Sequence, residues 1–219
     1  MTRKFATTLS MEDIKLLLPD ARVIIDCGAS LGNTVAMYRR FYPEAEIYAF
    51  EPRSEAFGQL RVVCEELNAH PVRLAVGDYV GSATMHITRN RESSSMLDFQ
   101  PGNPCEWWTH VVARETVGMV TLDKWCEVTL GGTSVDLLKL DLQGGELPAL
   151  RGATELLKMV KLVYAEVQFV ELYKDAPLYP GVSAFMAAAG FREYALYASP
   201  EPDNWGDALY VKEGCNEPH

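Results

Sequence analysis

Four carboxylic acids stand at the ends of apolar segments in this chain of 219 residues. Each follows an apolar run or lies among its last residues: Asp26, Glu51, Asp141 and Glu166. In an open α/β sheet, ligands bind beyond the carboxyl ends of the parallel strands. Carboxylates gathered there can accept hydrogen bonds, attract an ammonium group or take a proton from a reacting hydroxyl. We therefore expect these four acids to converge on one ligand site.

A glycine-containing loop joins a predicted strand to a helix within residues 23–34, which read Val-Ile-Ile-Asp-Cys-Gly-Ala-Ser-Leu-Gly-Asn-Thr. Gly28 and Gly32 allow a sharp turn, and a helix starting near Ser30 would present its free amides to a ligand. A dinucleotide fingerprint needs three glycines spaced G-x-G-x-x-G, but Ser30 and Asn33 occupy the second and third positions. The spacing is Asp-x-Gly-x-x-x-Gly, which resembles the first motif of class I S-adenosylmethionine (SAM)-dependent methyltransferases. An ordinary tight turn is the alternative.

Several residues near this loop are placed to hold an adenosine cofactor. Glu51 lies 19 residues after Gly32, where its carboxylate can accept hydrogen bonds from both ribose hydroxyls of NAD or SAM. Asp26 is a candidate for the ammonium group of SAM, and the helix start near Ser30 for its carboxylate. Asp78 follows the third predicted strand and is a candidate for the adenine edge. A simple turn residue is the alternative for Asp78.

Strands and helices alternate up to residue 76, which indicates a parallel sheet with right-handed crossovers. The predicted strands in this part cover residues 22–27, 46–50 and 71–76, and the main helices cover 31–42 and 54–68. Residues 81–88 then alternate apolar and polar side chains, as a half-buried strand does, and residues 89–114 form a loop-rich insertion over the site. Further strands are predicted at 117–123, 135–140, 160–167, 191–197 and 208–212, with helices at 145–158 and 182–189. The last two strands are expected to pair as a hairpin.

Length and composition predict one domain over residues 1–219, with a helical lead-in at 1–20 and the hairpin and insertion at 81–116 near the site. The formal net charge of −10 argues against a nucleic-acid partner, because phosphate binding needs a concentrated basic face. No apolar run reaches the roughly 20 residues of a membrane span, so we expect a cytoplasmic protein with no membrane partner. The five cysteines have no paired spacing, which predicts reduced thiols and supports neither a disulfide framework nor a zinc site. The acids show no metal-ligand spacing, so no metal is predicted. The sequence carries no signal for an oligomeric state.

Seven ordered blocks resemble the FkbM family of SAM-dependent methyltransferases. They read Ile-Asp-Cys-Gly-Ala-Ser-Leu-Gly (25–32), Ala-Phe-Glu-Pro (49–52), Ala-Val-Gly-Asp (75–78), Thr-Leu-Asp (121–123), Leu-Leu-Lys-Leu-Asp-Leu-Gln-Gly-Gly-Glu (137–146), Leu-Arg-Gly-Ala (150–153) and Ala-Glu-Val (165–167). The resemblance implies a Rossmann-like class I methyltransferase fold, a mostly parallel seven-stranded sheet with one antiparallel strand and helices on both faces. It also implies SAM as cofactor, Ala29 and Pro52 among the cofactor-binding residues, and methyl transfer to a hydroxyl of a small metabolite or sugar.

Two positions depart from the pattern that the family usually shows. Ser30 stands in place of Asn, and Gln143 stands in place of Glu. Ser can still cap a helix, whereas the neutral amide of Gln143 cannot act as a base or a charged ligand. If the usual carboxylate only orients its neighbours, Gln143 can substitute for it by hydrogen bonding. A divergent member that binds ligands without catalysis is therefore an alternative to an O-methyltransferase. A nicotinamide-dependent oxidoreductase is a third reading, which the glycine spacing disfavours.

Asp141 is the first candidate for the base that takes the proton of the acceptor hydroxyl, because it ends a central strand, and Glu166 is the second. The alternative for Asp141 is a role at a helix entry or in a lysine pair, and we expect Lys139 to point to the opposite side of the strand. Further candidates lie in or beside the insertion, although structural roles are more common for such residues: His86, His110, Trp107, Trp108 and residues 93–95. The tryptophans could stack on a sugar or an aromatic acceptor.

Overall fold

The computed structural model describes residues 11–198 and 204–214. In chain order its elements are α1 (Met11–Leu17), β1 (Val23–Cys27), α2 (Asn33–Phe41), β2 (Glu46–Phe50), α3 (Ser54–Glu66), β3 (His70–Val72), β4 (Ala75–Val76), β5 (Gly81–Thr88), β6 (Val111–Val120), α4 (Leu122–Thr129), β7 (Val135–Leu140), α5 (Glu146–Arg151), β8 (Val160–Gln168), α6 (Tyr179–Ala188), β9 (Phe191–Ala198) and β10 (Trp205–Lys212). Short 3₁₀ helices cover Arg91–Ser93 and Leu156–Lys158.

The central sheet has seven strands in the order β3-β2-β1-β7-β8-β10-β9. Its strands pair in parallel except for β10, which runs antiparallel to both β8 and β9. The predicted α/β fold with one antiparallel strand is therefore confirmed. A smaller sheet has the order β4-β6-β5, in which β4 pairs with β6 in parallel and β5 pairs with β6 antiparallel.

Alternate residues of β1 supply two hydrophobic cores, one on each face of the central sheet. Ile25 and Cys27 pack with residues of α4, α5 and α6, whereas Ile24 packs with residues of α1, α2 and α3. Because β1 and β7 are covered on both faces, all their residues are buried. This double burial is the reason that both strands read as nearly continuous apolar runs in the sequence.

The strand predicted at residues 71–76 is wrong in extent, because the chain changes sheets within it. β3 ends at Val72, and Ala75 and Val76 pair with Met119 and Val120 of β6 in the smaller sheet. β3 is an edge strand of the central sheet, where proline is tolerated.

The insertion predicted at residues 89–114 contains the first part of a strand. β6 begins at Val111 and pairs with β5 from Thr88 opposite Val111 to Gly81 opposite Met119. The first half of β6 is mostly exposed, so it lacks the apolar pattern by which a strand is recognised. The loop therefore covers only residues 89–110, and it connects the two strands of the β5–β6 hairpin.

Among the helix boundaries that differ from the predicted ones, two differ for reasons of backbone geometry. α2 begins at Asn33 because Gly32 has a left-handed φ of 93°. The helix predicted at 145–158 ends at Arg151, and the 3₁₀ helix follows after Gly152. A Cβ on Gly152 would lie 2.1 Å from the carbonyl oxygen of Gly77, so the two backbone segments can approach this closely only with glycine at position 152.

Other expectations are met within the described ranges. β9 and β10 pair as predicted, and Cys27, Cys64, Cys105 and Cys126 are buried, free thiols. Residues 1–10 of the predicted lead-in, residues 199–203 of the hairpin connection and Cys215 lie outside the described residues. None of the helices in residues 11–198 and 204–214 has the length and apolar character needed to cross a bilayer.

Candidate active site

The loop after β1 is shaped by a close approach to the end of β7. Gly28 has a φ of 85°, and a Cβ on it would lie 1.9 Å from the carbonyl oxygen of Asp141. The amides of Gly28 and Ala29 donate to the carbonyl oxygen of Phe50, at 3.0 and 2.9 Å. Gly32 is required for a different reason, since a Cβ there would lie 2.9 Å from the side chain of Val63. The loop therefore draws the ends of β1, β2 and β7 together around a bare stretch of backbone.

Glu51, just past the end of β2, is buried and accepts hydrogen bonds on both of its oxygens. Its Oε1 accepts from the amide and the Nε of Arg53 at 3.0 and 2.8 Å, and its Oε2 accepts from the amide of Ser30 and the Nη2 of Arg53 at 3.1 and 3.2 Å. Arg53 also donates to the carbonyl oxygen of Arg91 at 2.7 Å. These bonds fill the positions at which a carboxylate accepts, so a ribose can bind Glu51 only if the Arg53 guanidinium moves away.

Lys139 of β7 links two of the acids beneath the loop. Its Nζ lies 3.1 Å from Asp26 and 3.5 Å from Asp141, and it donates to the carbonyl oxygen of Gly28 at 2.9 Å. Burial lowers the pKa of Lys139, but the neighbouring Asp26 and Asp141 outweigh burial and raise that pKa. The expectation that Lys139 points away from Asp141 is wrong, because residues two apart on a strand share a face.

Gln143 joins Asp141 to Glu166 across the ends of β7 and β8. Its Nε2 donates to Asp141 Oδ1 and to Glu166 Oε2, each at 2.8 Å. Its Oε1 accepts from the hydroxyl of Tyr173 at 2.5 Å, and Ser95 Oγ donates to its backbone carbonyl at 2.7 Å. Gln143 has a φ of 54°, which turns its side chain back over the strand ends. The amide thus supplies a donor to each of two acids that would otherwise repel each other.

A group of acids with raised pKa values surrounds this bridge. Burial raises the pKa of Glu166 well above its ordinary value, and the charges of Asp141, Glu146 and Asp207 add to the effect. Burial likewise raises the pKa of Glu146 to about 7 and that of Asp207 to about 6. Perturbed acids of this kind concentrate at functional sites.

A cavity of about 540 Å³ opens over these groups. From the loop after β1 and the end of β2 it is lined by Gly28, Ala29, Ser30, Leu31, Asn33, Thr34, Phe50, Glu51, Pro52 and Arg53. From the strand ends it is lined by Lys139, Asp141, Leu142, Gln143, Glu166 and Gln168. The remaining wall includes Met85, residues 90–94, Met96, Cys105, Trp108, Thr109, Leu172, Tyr173 and Trp205. Its volume is typical of a small-molecule site.

Three of the four strand-end acids line this cavity, namely Glu51, Asp141 and Glu166. Asp26 does not, because it is fully buried one layer below, where it accepts from Thr34 Oγ1 and pairs with Lys139. Gly32 is also not among the residues that line the cavity, and it packs against α3.

Several other candidates lie away from the cavity. Asp78 is exposed and is not among the residues that line it, so its placement does not favour the adenine edge. His110 and Trp107 are exposed, and His86 is buried beside Asp98 at 3.4 Å. Among the insertion candidates, the structure brings Ser93, Ser94 and Trp108 to the cavity wall.

Residues 26–193 match the family model described as the methyltransferase FkbM domain. The chain belongs to the FkbM methyltransferase family. Since the match covers both the glycine loop and the strand-end acids, the cofactor of this FkbM methyltransferase is SAM.

Two sequence relatives carry names that describe their reactions. The 2-O-methyltransferase NoeI of Sinorhizobium fredii is 27% identical over 169 residues, which cover 74% of this chain and 69% of NoeI. The hexuronic acid methyltransferase AglP of Haloferax volcanii is 25% identical over 159 residues, which cover 70% of this chain and 60% of AglP. This chain therefore spans between three fifths and seven tenths of each of these relatives.

Solved structures share the fold at low identity. The methyltransferase FkbM from Methylobacillus flagellatus aligns with a TM-score of 0.58 and 15% identity, over 88% of this chain and 43% of that chain. The magnesium protoporphyrin IX methyltransferase of Synechocystis, solved with bound SAM, aligns with a TM-score of 0.53 and 8% identity, over 93% of this chain and 77% of that chain.

Among the cavity residues of this FkbM methyltransferase that the sequence analysis does not identify as site residues are Arg53, Lys139, Gln168, Tyr173 and Trp205. Lys139 carried a usable signal, since it interrupts an otherwise apolar strand two residues before Asp141. Gln168 carried a similar signal, since it is a polar residue two positions after Glu166 at the end of an apolar strand. Tyr173 and Trp205 depend on tertiary pairing, which no local pattern reveals.

The raised pKa of Asp207 predicts that the protein loses stability as pH rises. A carboxyl with a raised pKa in the folded state stabilises that state below its unfolded pKa of about 4, and the stability is lost as pH rises through about 6. We expect this group to cost about 3 kcal/mol in the free energy of unfolding between pH 4 and pH 8. Urea unfolding at several pH values between 4 and 8 measures how steeply the free energy of unfolding falls as pH rises.

The Asp207→Asn variant should show a flatter pH profile than the wild type and greater stability at pH 8. Asp20→Asn, at an exposed turn, is the matched control and should follow the wild-type profile. Parallel profiles for wild type and Asp207→Asn would contradict the assignment.

Proposed function

We propose that this chain transfers a methyl group from SAM to a hydroxyl oxygen of a neutral sugar or a similar polyhydroxylated small molecule. The observation that carries the proposal is the pair of acids Asp141 and Glu166, held by the Gln143 amide at a cavity beside the glycine loop. The relatives' names, a 2-O-methyltransferase and a hexuronic acid methyltransferase, support a hydroxylated acceptor.

The residues at the β1 and β2 ends fit the cofactor. The absence of a Cβ on Gly28 lets the loop pack against the backbone carbonyl of Asp141, so the loop and the strand-end acids line the same cavity. Ser30 and the start of α2 would hold the amino-acid portion, and Glu51 with Pro52 and Ala29 would hold the nucleoside once Arg53 has moved. When bound, SAM supplies a methyl group on a positively charged sulfur. The protein's contribution to such a displacement is to hold the acceptor oxygen in line and to take its proton.

Asp141 is the better placed of the two acids to take this proton. Its side chain is 39% exposed at the cavity, whereas burial and neighbouring acids shift Glu166 towards its protonated form. Lys139 at 3.5 Å and the Gln143 amide at 2.8 Å fix the orientation of Asp141. We assign Asp141 as the base and Glu166 as a neighbouring acid whose raised pKa favours its protonated form.

The charges around the cavity favour a neutral acceptor. Two of the three cations among the described lining residues are paired with carboxylates away from Glu51, Arg91 with Glu55 and Lys139 with Asp26. The third, Arg53, pairs with Glu51 at the cofactor end of the cavity until the nucleoside displaces it. An anionic acceptor would therefore meet Asp141 and Glu166 without a free cation to compensate. A charged sugar such as a hexuronic acid fits this cavity less well than a neutral one.

The test is to incubate the purified chain with SAM and a panel of neutral methyl glycosides, with methyl glucuronide as the charged comparison. Mass spectrometry should detect a neutral glycoside that has gained one methyl group on oxygen, with less product from the glucuronide. Binding of SAM by calorimetry without any methylated product would instead support the non-catalytic alternative. Tight binding of NAD without binding of SAM would support an oxidoreductase.

A further inference from the structure

The wall beyond Glu166 contains a buried amide that the catalytic arrangement does not use. Gln168 is the last residue of β8 and lies two residues after Glu166, so both side chains point to the cavity face of the sheet. Along a strand this spacing places Gln168 about 6.6 Å further out than Glu166. It therefore lies past the reacting groups, on the side where the remainder of an acceptor would extend.

The Gln168 side chain is buried but its hydrogen-bonding capacity is not satisfied. The residue is only 2% exposed, and its Oε1 has no hydrogen-bond partner in the described structure. A buried amide without a partner is unfavourable, so such groups in folded proteins normally bond to the protein, to water or to a ligand. A buried, unpaired amide in a cavity wall is the feature expected of a group that bonds to a bound molecule.

Aromatic rings stand beside this amide. Trp205 of β10 lies directly opposite Gln168 in the β8–β10 register, and Trp205 lines the same cavity. Trp108, from the insertion, meets Trp205 edge-on with ring centroids 6.4 Å apart. This part of the wall therefore presents flat apolar surface next to one unpaired polar group. A sugar offers the complementary combination, since its ring has apolar C–H faces and hydroxyls around its edge.

We infer that Gln168 is the acceptor-orienting residue, and that its amide bonds a second hydroxyl of the sugar while Trp205 and Trp108 contact the ring. Fixing this second hydroxyl decides which neighbouring hydroxyl faces Asp141, so Gln168 sets the position of methylation. The inference rests on the proposed function and extends it from an acceptor class to the recognition of one particular hydroxyl.

The test compares wild type with Gln168→Met, which keeps the length of the side chain and removes its hydrogen bonds. Acceptors are the best methyl glycoside of the panel and its deoxy analogues, each of which lacks one hydroxyl other than the methylated one. We expect wild type to lose about 10- to 100-fold in kcat/KM with one deoxy analogue, because the Gln168 amide is then left unpaired. Gln168→Met should lose a similar factor with the full glycoside and nothing further with that analogue.

Two measurements separate this role from a structural one. The melting temperature and SAM affinity of Gln168→Met should not fall, because the variant removes a buried amide whose oxygen has no partner among the described residues. Gln59→Met, at an exposed position of α3 outside the cavity, is the matched control and should keep wild-type discrimination. Gln168→Leu gives a second apolar variant with the same expectation.

The outcomes for the inference and for the proposed function differ. If wild type methylates the glycosides but Gln168→Met and Gln168→Leu discriminate among the deoxy analogues as wild type does, the orienting role is wrong and the proposed function stands. Binding of the same glycosides to the complex with S-adenosylhomocysteine is measured by calorimetry. If wild type neither binds nor methylates any of them, the sugar acceptor is wrong, and the role of Gln168 is wrong with it.

Discussion

Asp141→Asn is expected to lower kcat by about 100- to 10,000-fold, the usual contribution of a general base. The change removes the basic oxygen and keeps the shape of the side chain. An Asn carbonyl oxygen can still accept the 2.8 Å hydrogen bond from Gln143 Nε2. SAM affinity should stay within a few fold, because the loop approaches the backbone carbonyl of residue 141 and not its side chain. Single-turnover kinetics and calorimetry measure the two effects separately.

Two further variants make this result specific. Asp175→Asn is the matched control, because Asp175 is exposed and has a left-handed φ of 59° that Asn tolerates, so its kcat should be unchanged. Glu166→Gln tests the second candidate and should lower kcat less than Asp141→Asn does. If Asp141→Asn keeps near-normal turnover while Glu166→Gln abolishes it, Glu166 is the base and the assignment to Asp141 is wrong.

The strands that carry the site were predictable because their burial leaves a local signature. β7 matches the predicted residues 135–140, and β1 lies within the predicted 22–27, since a parallel strand covered on both faces must be apolar at nearly every position. The acids that end these strands could be placed at one edge from chain order alone. β6 begins six residues before the predicted start at 117, because its first half pairs with β5 but is mostly exposed and so lacks an apolar pattern.

Two features of the site could not be predicted from the sequence: how deeply each acid is buried, and which groups the Gln143 amide contacts. Asp26 was expected in the site, but its position within β1, before Cys27, places it below the cavity against Lys139. The sequence shows only that Gln143 replaces a carboxylate. The left-handed backbone that turns its amide onto two acids depends on packing against Tyr173 and Ser95, which lie 30 and 48 residues away in the chain. Trp205 reaches the wall through the antiparallel register of β8 and β10.

Gln143→Glu, which restores the residue usual in the family, is expected to destabilise this protein by about 3 to 5 kcal/mol at pH 8, because it loses two hydrogen bonds to acids, each worth about 1.5 to 3 kcal/mol where the acid is charged. The change removes the two hydrogen bonds that Nε2 donates to Asp141 and Glu166 and places a third carboxyl group between them. The negative charge of neighbouring carboxylates raises the pKa of the carboxyl introduced at position 143 in the folded state. The variant's deficit is therefore small below the unfolded pKa of about 4 and grows as pH rises.

Urea unfolding at pH 5, 6, 7 and 8 measures the difference in free energy of unfolding between wild type and Gln143→Glu. Comparing the two proteins at the same pH removes the pH dependence of the acids that both contain. Gln59→Glu, on the exposed face of α3, is the matched control and should show no growing deficit. A deficit of the same size at pH 5 and pH 8 would indicate lost packing around Tyr173, and not charge repulsion. Equal stability of variant and wild type at pH 8 would show that the acids do not need the amide, because Asp141 and Glu166 then stay together without the donors that Gln143 supplies to both.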